Sequence, residues 1–172
     1  MTVQVDQLIH GDAFEILPQI DSESVDCICI DPPYGINYFS GYYKGKNPHK
    51  KIIGDANLHF PLDELWRILK STGAMFVFYS QKQPISDSRI KNTIVWVKDN
   101  WTAGDLEGDF GKQYELIAFM PKEKFKIKGK RFSNVWECPR IPFDKLQHPT
   151  QKPVDLISKI ILCATKQGGG GA

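Results

Sequence analysis

The chain has 172 residues, of which 41% are hydrophobic and 24% are charged, and its formal net charge is +2 at pH 7. This length suffices for one domain with a real core and is short for two. No apolar run approaches the ~18 residues of a membrane span, the first residues do not form a secretion leader, and the small net charge confines any nucleic-acid contact to local basic clusters. The four cysteines form no CxxC pair, so we expect core thiols in a reducing cytosol and no metal site.

The hydrophobic pattern predicts alternating strands and helices. A strand is expected at 3–9, followed by a helix that Asp12 caps with Glu15 as its capping-box partner. Further strands are predicted at 25–30, 73–80, 92–99 and 114–120, with a helix at 60–71 between the first two. In that helix, Leu62, Leu65, Trp66 and Leu69 recur at helical spacing. A last helix begins at Pro153, with an apolar face predicted to consist of Val154, Ile157, Ile160, Ile161 and Ala164. The alternation is typical of an α/β sheet with crossover helices.

The apolar strand at 25–30 ends in Asp31-Pro32-Pro33-Tyr34. Ligands of doubly wound sheets lie beyond the carboxyl ends of the strands, and the prolines restrict the backbone there. This strand end therefore presents a carboxylate, oriented carbonyl oxygens and an aromatic ring. Two acceptors suit the N–H groups of an exocyclic nucleobase amine, and the ring suits stacking on a base that has left the duplex. A carboxylate of pKa ~3.9 is too weak to deprotonate such an amine first, so the proton would leave after bond formation. Taken alone, the motif is more often a proline turn with a packing tyrosine.

Two basic clusters are candidate DNA contacts. Between 122 and 131, six of ten residues are Lys or Arg, with Phe125 and Ile127 interleaved, which predicts a strand with one basic face. The loop at 35–58 combines basic and aromatic residues directly after the proline motif, as expected of a loop that folds over DNA. The alternative for both clusters is a solvated lysine surface.

Together with "QHPTQKPVDLISKIIL" at 147–162, the order of these segments resembles the β class of amino-group DNA methyltransferases, which act on adenine N6 or cytosine N4 with S-adenosylmethionine. The resemblance implies a Rossmann-like α/β fold in circularly permuted motif order. It also implies a single domain over 1–172, with a catalytic part at 1–121, a target-recognition segment at 122–147, a cofactor-pocket helix at 148–167 and a glycine tail at 168–172. Aspartate in the first motif position favours adenine, with cytosine N4 as the alternative target.

The resemblance also implies roles for individual residues. The target amine would be bound and activated by Asp31, Pro32, Pro33 and Tyr34. The cofactor would lie against Asp12, Ala13, Asp31, Thr150, Gln151, Lys152 and Pro153. Double-stranded DNA would be contacted by Tyr38, Lys44, Lys46, Lys50, Lys51, Lys124, Lys126, Lys128, Lys130 and Arg131. The expected location is the cytoplasm of a bacterial or phage-infected cell, in association with the nucleoid, without membrane or metal.

The chain departs from the family pattern after the last helix. The family continues with a strand and a Phe-x-Gly-x-Gly loop that cradles the cofactor, whereas here "GGGGA" follows, and poly-glycine is a flexible tail. We therefore expect the C-terminal part of the sheet to be missing. The 172-residue chain alone is then expected to bind adenosylmethionine poorly and to self-associate. It would act as a homodimer or with a complementing fragment, and the competing interpretation is a non-catalytic DNA-binding remnant.

Overall fold

The computed structural model describes residues 7–32, 60–101, 107–147 and 150–166, with residue 143 described by its backbone only. The elements in chain order are α1 (Ala13–Ile16), a 3-10 turn (Leu17–Gln19), β1 (Val25–Ile30), α2 (Leu62–Ile68), β2 (Leu69–Tyr79), β3 (Asn92–Val97), β4 (Tyr114–Pro121), β5 (Val135–Glu137), a second 3-10 turn (Phe143–Lys145) and α3 (Val154–Ala164). The strand predicted at 3–9 lies largely outside the described residues, and residues 7–9 are not in a strand.

Five strands form one mixed sheet in the order β1-β2-β4-β3-β5. β1 is parallel to β2 and β3 is parallel to β5, whereas β4 is antiparallel to both β2 and β3. The carboxyl ends of β1, β2, β3 and β5 therefore meet at one edge of the sheet together with the start of β4. We call this edge the carboxyl edge and the opposite one the amino edge. A site that follows β1 therefore lies at the same edge as the start of β4 and the end of β3.

The four strands predicted within the described residues are confirmed, and β2, β3 and β4 differ from the prediction in extent. β2 begins at Leu69, directly after α2, so the prediction that Leu69 belongs to the helical face is wrong. Leu69 instead pairs with Val25, and the register shifts between Val25 and Cys27. Gly73 is required at this crowded point, since an added Cβ would lie 2.7 Å from the Asp26 carbonyl oxygen. The short strand β5 was not predicted from the sequence.

The core consists of two layers, one on each face of the sheet. β2 is buried on both faces from Gly73 to Phe78, because α3 covers one face and α2 covers the other. Phe78 and Trp96 pack with Leu156 and Ile160 in the α3 layer. Burial of each large apolar side chain stabilises the fold by about 1.5–3 kcal/mol, so these layers hold the strand ends in place.

The predicted apolar face of α3 is partly wrong. The buried residues of the helix are Leu156, Ile160, Cys163 and Ala164. Val154 is 71% exposed and Ile161 is 45% exposed, so neither belongs to the packed face. The helix is apolar around most of its circumference, and a period of 3.6 therefore fits more than one face.

The prediction of a strand within 122–131 is also wrong. β4 ends at Pro121, a turn follows at residues 123–124, and residues 128–130 form a bend in which Gly129 has a φ of 74°. Phe125 folds back onto the core and packs against Phe119, with 5.6 Å between the ring centroids. Alternating charge indicated a strand, but the partly buried Phe125 packs against the core in the middle of the segment, and the backbone turns there instead.

Candidate active site

Asp31 lies at the carboxyl edge, one residue beyond β1. Ile30, the last residue of β1, pairs with Val77, and Pro32 is buried behind the strand end. The Asp31 side chain is 29% exposed, so it faces the edge of the sheet without lying free in solvent. The remaining predicted catalytic residues, Pro33 and Tyr34, lie outside the described residues, as do Tyr38, Lys44, Lys46, Lys50 and Lys51.

The segment before α3 brings Lys152 to the same place. Its Nζ lies 3.2 Å from Oδ2 of Asp31, and its side chain is only 12% exposed. Pro153 is buried and starts α3, and the Gln151 Oε1 accepts a hydrogen bond from the Gln147 backbone N–H at 3.0 Å. Thr150 is exposed. Two segments separated by about 120 residues, both predicted from the sequence to carry function, thus converge at one edge.

Two further charged residues complete this site, and neither was predicted from the sequence. Lys152 Nζ donates a hydrogen bond of 2.7 Å to Oε2 of Glu115, and Lys98 Nζ donates one of 3.2 Å to Oε1 of the same carboxylate. Glu115 is the second residue of β4, and Lys98 directly follows β3. The available signal was an acidic residue inside the apolar run "YELIAFM". We refer to Asp31, Lys152, Glu115 and Lys98 as the charge network.

The charge network is held largely out of solvent. Burial is the largest influence on the pKa of Glu115 and would raise it, but Lys152 and Lys98 together outweigh burial and lower the pKa below its ordinary value. Burial, with a smaller effect of Asp31, raises the pKa of the neighbouring Cys29 thiol to about 11. Glu115 is therefore a carboxylate at neutral pH, and Cys29 is a protonated thiol without nucleophilic character.

Aromatic rings form the floor beneath the two ammonium groups. Lys152 Nζ lies 4.9 Å from the centroid of the Phe78 ring and 5.9 Å from that of Trp96. Lys98 Nζ lies 5.7 Å from the centroid of Trp96, whose indole N–H donates to the Cys138 carbonyl at 2.7 Å. Cation–π attraction and the fixed indole orient both lysines toward the carboxylates.

Asp12 and Ala13 lie elsewhere. Asp12 caps α1, as predicted, with its carboxylate accepting from the Phe14 N–H at 2.8 Å. α1 leads into the turn at Leu17–Gln19, whose Leu17 carbonyl accepts from Arg67 of α2 at 2.9 Å. These contacts belong to the α2 face of the sheet, opposite the face of Lys152. The structure therefore does not bring the two parts of the predicted cofactor set into contact.

The basic segment at 122–131 lies at the amino edge. The Lys122 N–H donates to the Gly73 carbonyl and the Lys124 N–H to that of Ser71, both near the start of β2, and the Lys128 N–H donates to the Cys163 carbonyl near the end of α3. Asp31 follows Ile30, which pairs with Val77, so about five residues of β2 separate the two positions, or ~17 Å along the sheet. Exposed side chains of this segment include Lys124, Lys126, Lys130 and Arg131. The structure does not bring them to Asp31.

This arrangement can hold an amine. A carboxylate at a strand end with a buried proline behind it describes a site for a small polar group that carries or develops positive charge. Among the described residues, no three His, Cys, Asp or Glu side chains are grouped so as to hold a metal ion. No helix in the described ranges is long and apolar enough to cross a membrane.

Comparison with known proteins defines the class to which this fold and site belong. The sequence profile of the DNA methylase family of N6 and N4 methyltransferases matches residues 25–170, which is most of the chain. The chain belongs to this DNA methylase family, and it has the fold of a Rossmann-like methyltransferase.

Individual relatives agree with this assignment. The chain is 30% identical over 203 residues to the DNA adenine methyltransferase YhdJ of Escherichia coli K12, with 94% of this chain and 68% of that protein covered. It is 27% identical over 197 residues to the type II methyltransferase M2.DpnII of Streptococcus pneumoniae, with 94% and 73% covered. The crystal structure of the M1.HpyAVI–SAM complex superposes with a TM-score of 0.62 at 24% identity and covers 92% of this chain and 77% of that one, which supports the fold.

Proposed function

We propose that this protein transfers the methyl group of S-adenosylmethionine to the exocyclic N6 amine of adenine in double-stranded DNA. The observation that carries the proposal is the position of Asp31 at the carboxyl end of β1, beside Lys152, in a member of the DNA methylase family. One relative is named a DNA adenine methyltransferase, and a structural neighbour is a complex with SAM, which supports both the target base and the cofactor.

The chemistry of the site fits a developing cation. The target amine would donate one N–H to the Asp31 carboxylate and the other to a backbone carbonyl of the proline motif. Its nitrogen lone pair would then be free to take the methyl group, which S-adenosylmethionine supplies as an electrophile. Positive charge grows on the amine nitrogen during transfer, and the Asp31 carboxylate stabilises it. The proton leaves only afterwards, because a carboxylate is too weak a base for a neutral arylamine.

The cofactor would be bound in part by the segment that precedes α3. Lys152 is the one described cation within ion-pair distance of Asp31, and its ammonium suits the carboxylate of the methionine end. Thr150, Gln151 and Pro153 flank it. Asp12 and Ala13, which the sequence also assigned to the cofactor, lie on the other face of the sheet.

DNA contact would involve two surfaces at different distances from the reacting base. Adenine must leave the duplex to reach Asp31, with Tyr34 stacking on it and the loop at 35–58 closing over the DNA. The basic segment lies ~17 Å away along the sheet, so it would contact the phosphate backbone outside the target nucleotide.

A complementing partner is the second component of the proposal. β1 is an edge strand of the sheet in the described part of the chain, α3 packs against it, and Val154, Ile161 and Leu162 of α3 are exposed. An unpaired edge and an adjacent apolar helix face together suit a further strand and its cover. A second copy of the chain or a fragment with the glycine loop would supply this strand and its cover.

The site of action would be DNA in the bacterial cytoplasm.

The test is identification of the product. Unmethylated DNA is incubated with labelled S-adenosylmethionine and the chain, with and without a fragment that carries the family's glycine loop and its strands, and the digested nucleosides are separated by mass. We expect N6-methyladenine in the presence of the fragment. N4-methylcytosine would move the assignment to the alternative target, and DNA binding without any methylated base would favour a non-catalytic remnant.

A further inference from the structure

Glu115 bridges the two lysines of the charge network, and this geometry affects how close Lys152 comes to Asp31. Lys152 Nζ is closer to Glu115, at 2.7 Å, than to Asp31, at 3.2 Å. Oε1 of Glu115 meanwhile binds Lys98. The two acidic and two basic side chains sum to zero charge. The ammonium group beside Asp31 is shared with Glu115, whose carboxylate lies closer to it.

We propose that Glu115 is a positioning residue that holds Lys152 back from Asp31, against the competition of Lys98 for the same carboxylate, and so keeps the Asp31 carboxylate available to the target amine. The proposal rests on the function proposed for Asp31. It assigns to β4 and β3 a part in the reaction that the proline motif and the segment before α3 do not perform by themselves.

The physical reason is competition for one carboxylate. An ammonium group and the target amine are both N–H donors, and both would bind the oxygens of Asp31. Unit charges a few ångströms apart attract strongly in a partly buried site, so a lysine with no other anion would settle fully on Asp31. Glu115 offers the ammonium a shorter, charge-assisted hydrogen bond, which leaves Asp31 only partly neutralised.

The framework around Glu115 is rigid enough for this role. Glu115 pairs with Trp96 across β4 and β3, and the ladder continues beyond β3, where the Lys98 N–H donates to the Gln113 carbonyl at 2.7 Å. The Gln113 side chain returns a hydrogen bond to the Lys98 carbonyl at 3.1 Å. The rings of Phe78 and Trp96 lie beneath the ammonium groups and block movement of the two lysine side chains away from the carboxylates. Asp31 forms an ion pair with Lys152 and acts electrostatically on the protonated Cys29 thiol.

The decisive variant is Glu115→Gln, which keeps the shape of the side chain and removes its charge. In the complete, active form of the enzyme, we expect kcat at saturating adenosylmethionine to fall about tenfold with little change in KM for DNA, because Lys152 then occupies Asp31. Adding Lys152→Met should restore much of kcat while raising KM for adenosylmethionine. A double variant as slow as Glu115→Gln, or slower, would make Glu115 an ordinary structural residue and overturn the proposal.

A structure of the Glu115→Gln chain tests the same idea without any activity. We expect Lys152 Nζ to close on Asp31 from 3.2 Å to about 2.8 Å, the length of a charge-assisted hydrogen bond. An unchanged separation would refute the proposal even if methyl transfer is confirmed, and closure would support it even if no methyl transfer is found. Should Glu115→Gln not fold, Lys98→Met provides the opposite sign, because Glu115 is then free to draw Lys152 away from Asp31. Asp26→Asn is the matched control. Asp26 is a carboxylate of β1 that binds Lys70 at 2.7 Å, and it lies toward the amino edge, away from Asp31.

Discussion

At the scale of single residues, the site depends on charges that compensate one another. Lys152 is 12% exposed and Lys98 is 17% exposed, and such cations are tolerated in a folded protein only when carboxylates accept their hydrogen bonds. Glu115 accepts a hydrogen bond from each of them. Glu115, which is proposed to hold Lys152 back from Asp31, is therefore also expected to stabilise the fold. The pH dependence of the unfolding free energy measures this second role.

Glu115→Gln should lower the free energy of unfolding by about 2–3 kcal/mol at pH 7, because two charge-assisted hydrogen bonds lose their anion. The folded pKa of Glu115 is lowered by Lys152 and Lys98 against the opposing effect of burial, so its contribution is complete above its ordinary pKa of ~4.3. The contribution is lost as the pH falls through the lower, folded pKa. Urea denaturation of both proteins at pH 7 and near pH 3 measures this, and a difference that grows toward acid pH would contradict it.

Residue patterns indicated part of this site and not the rest. Asp31 and Lys152 belong to short contiguous motifs and were predicted from the sequence. Lys98 and Glu115 are 17 positions apart, and Glu115 is 37 positions from Lys152, so their meeting depends on the antiparallel pairing of β3 with β4. Pairing of strands is a property of the whole sheet, and no local pattern specifies it.

At the scale of elements, α3 shows where periodicity is insufficient. Ile160 is fully buried in the α3 layer, whereas Val154, assigned from the sequence to the same face, is 71% exposed. We expect Ile160→Ala to cost about 2–5 kcal/mol of unfolding free energy, because it opens a cavity against β2. Val154→Ala is the control and should change stability by less than about 0.5 kcal/mol. Equal losses in thermal or urea denaturation would restore the predicted face and contradict the structure.

The basic segment is the second element whose sequence pattern misled. It forms turns at the amino edge instead of a strand, yet its lysines remain exposed and available to phosphates. Replacing Lys124, Lys126 and Lys130 with Gln should weaken binding to all DNA sequences alike and reduce the slope of log affinity against log salt by roughly 0.9 for each phosphate that is no longer neutralised. The measurement is a DNA titration at several salt concentrations. An unchanged slope would assign the segment to ordinary solvated surface.

At the scale of the whole molecule, the described sheet ends in two edge strands, β1 on one side and β5 on the other. β1 is an edge strand in the described part of the chain, although Cys27 and Cys29 of β1 pack on the α3 layer. An apolar edge of this kind associates readily with other strands. We expect the 172-residue chain alone to self-associate in sedimentation and to bind adenosylmethionine poorly in calorimetric titration. Micromolar binding by a stable monomer would show that the pocket needs no further strand.

The central claim is that the Asp31 carboxylate acts on the target amine during methyl transfer. Its most direct test is the rate of a single turnover on DNA by the Asp31→Ala variant of the complete enzyme. The control is Asp26→Ala, which removes a carboxylate of β1 that lies toward the amino edge. Because the carboxylate acts in the transition state, we predict that Asp31→Ala abolishes transfer while its affinity for DNA stays largely intact, and that Asp26→Ala reacts normally. Normal turnover by Asp31→Ala would contradict the account.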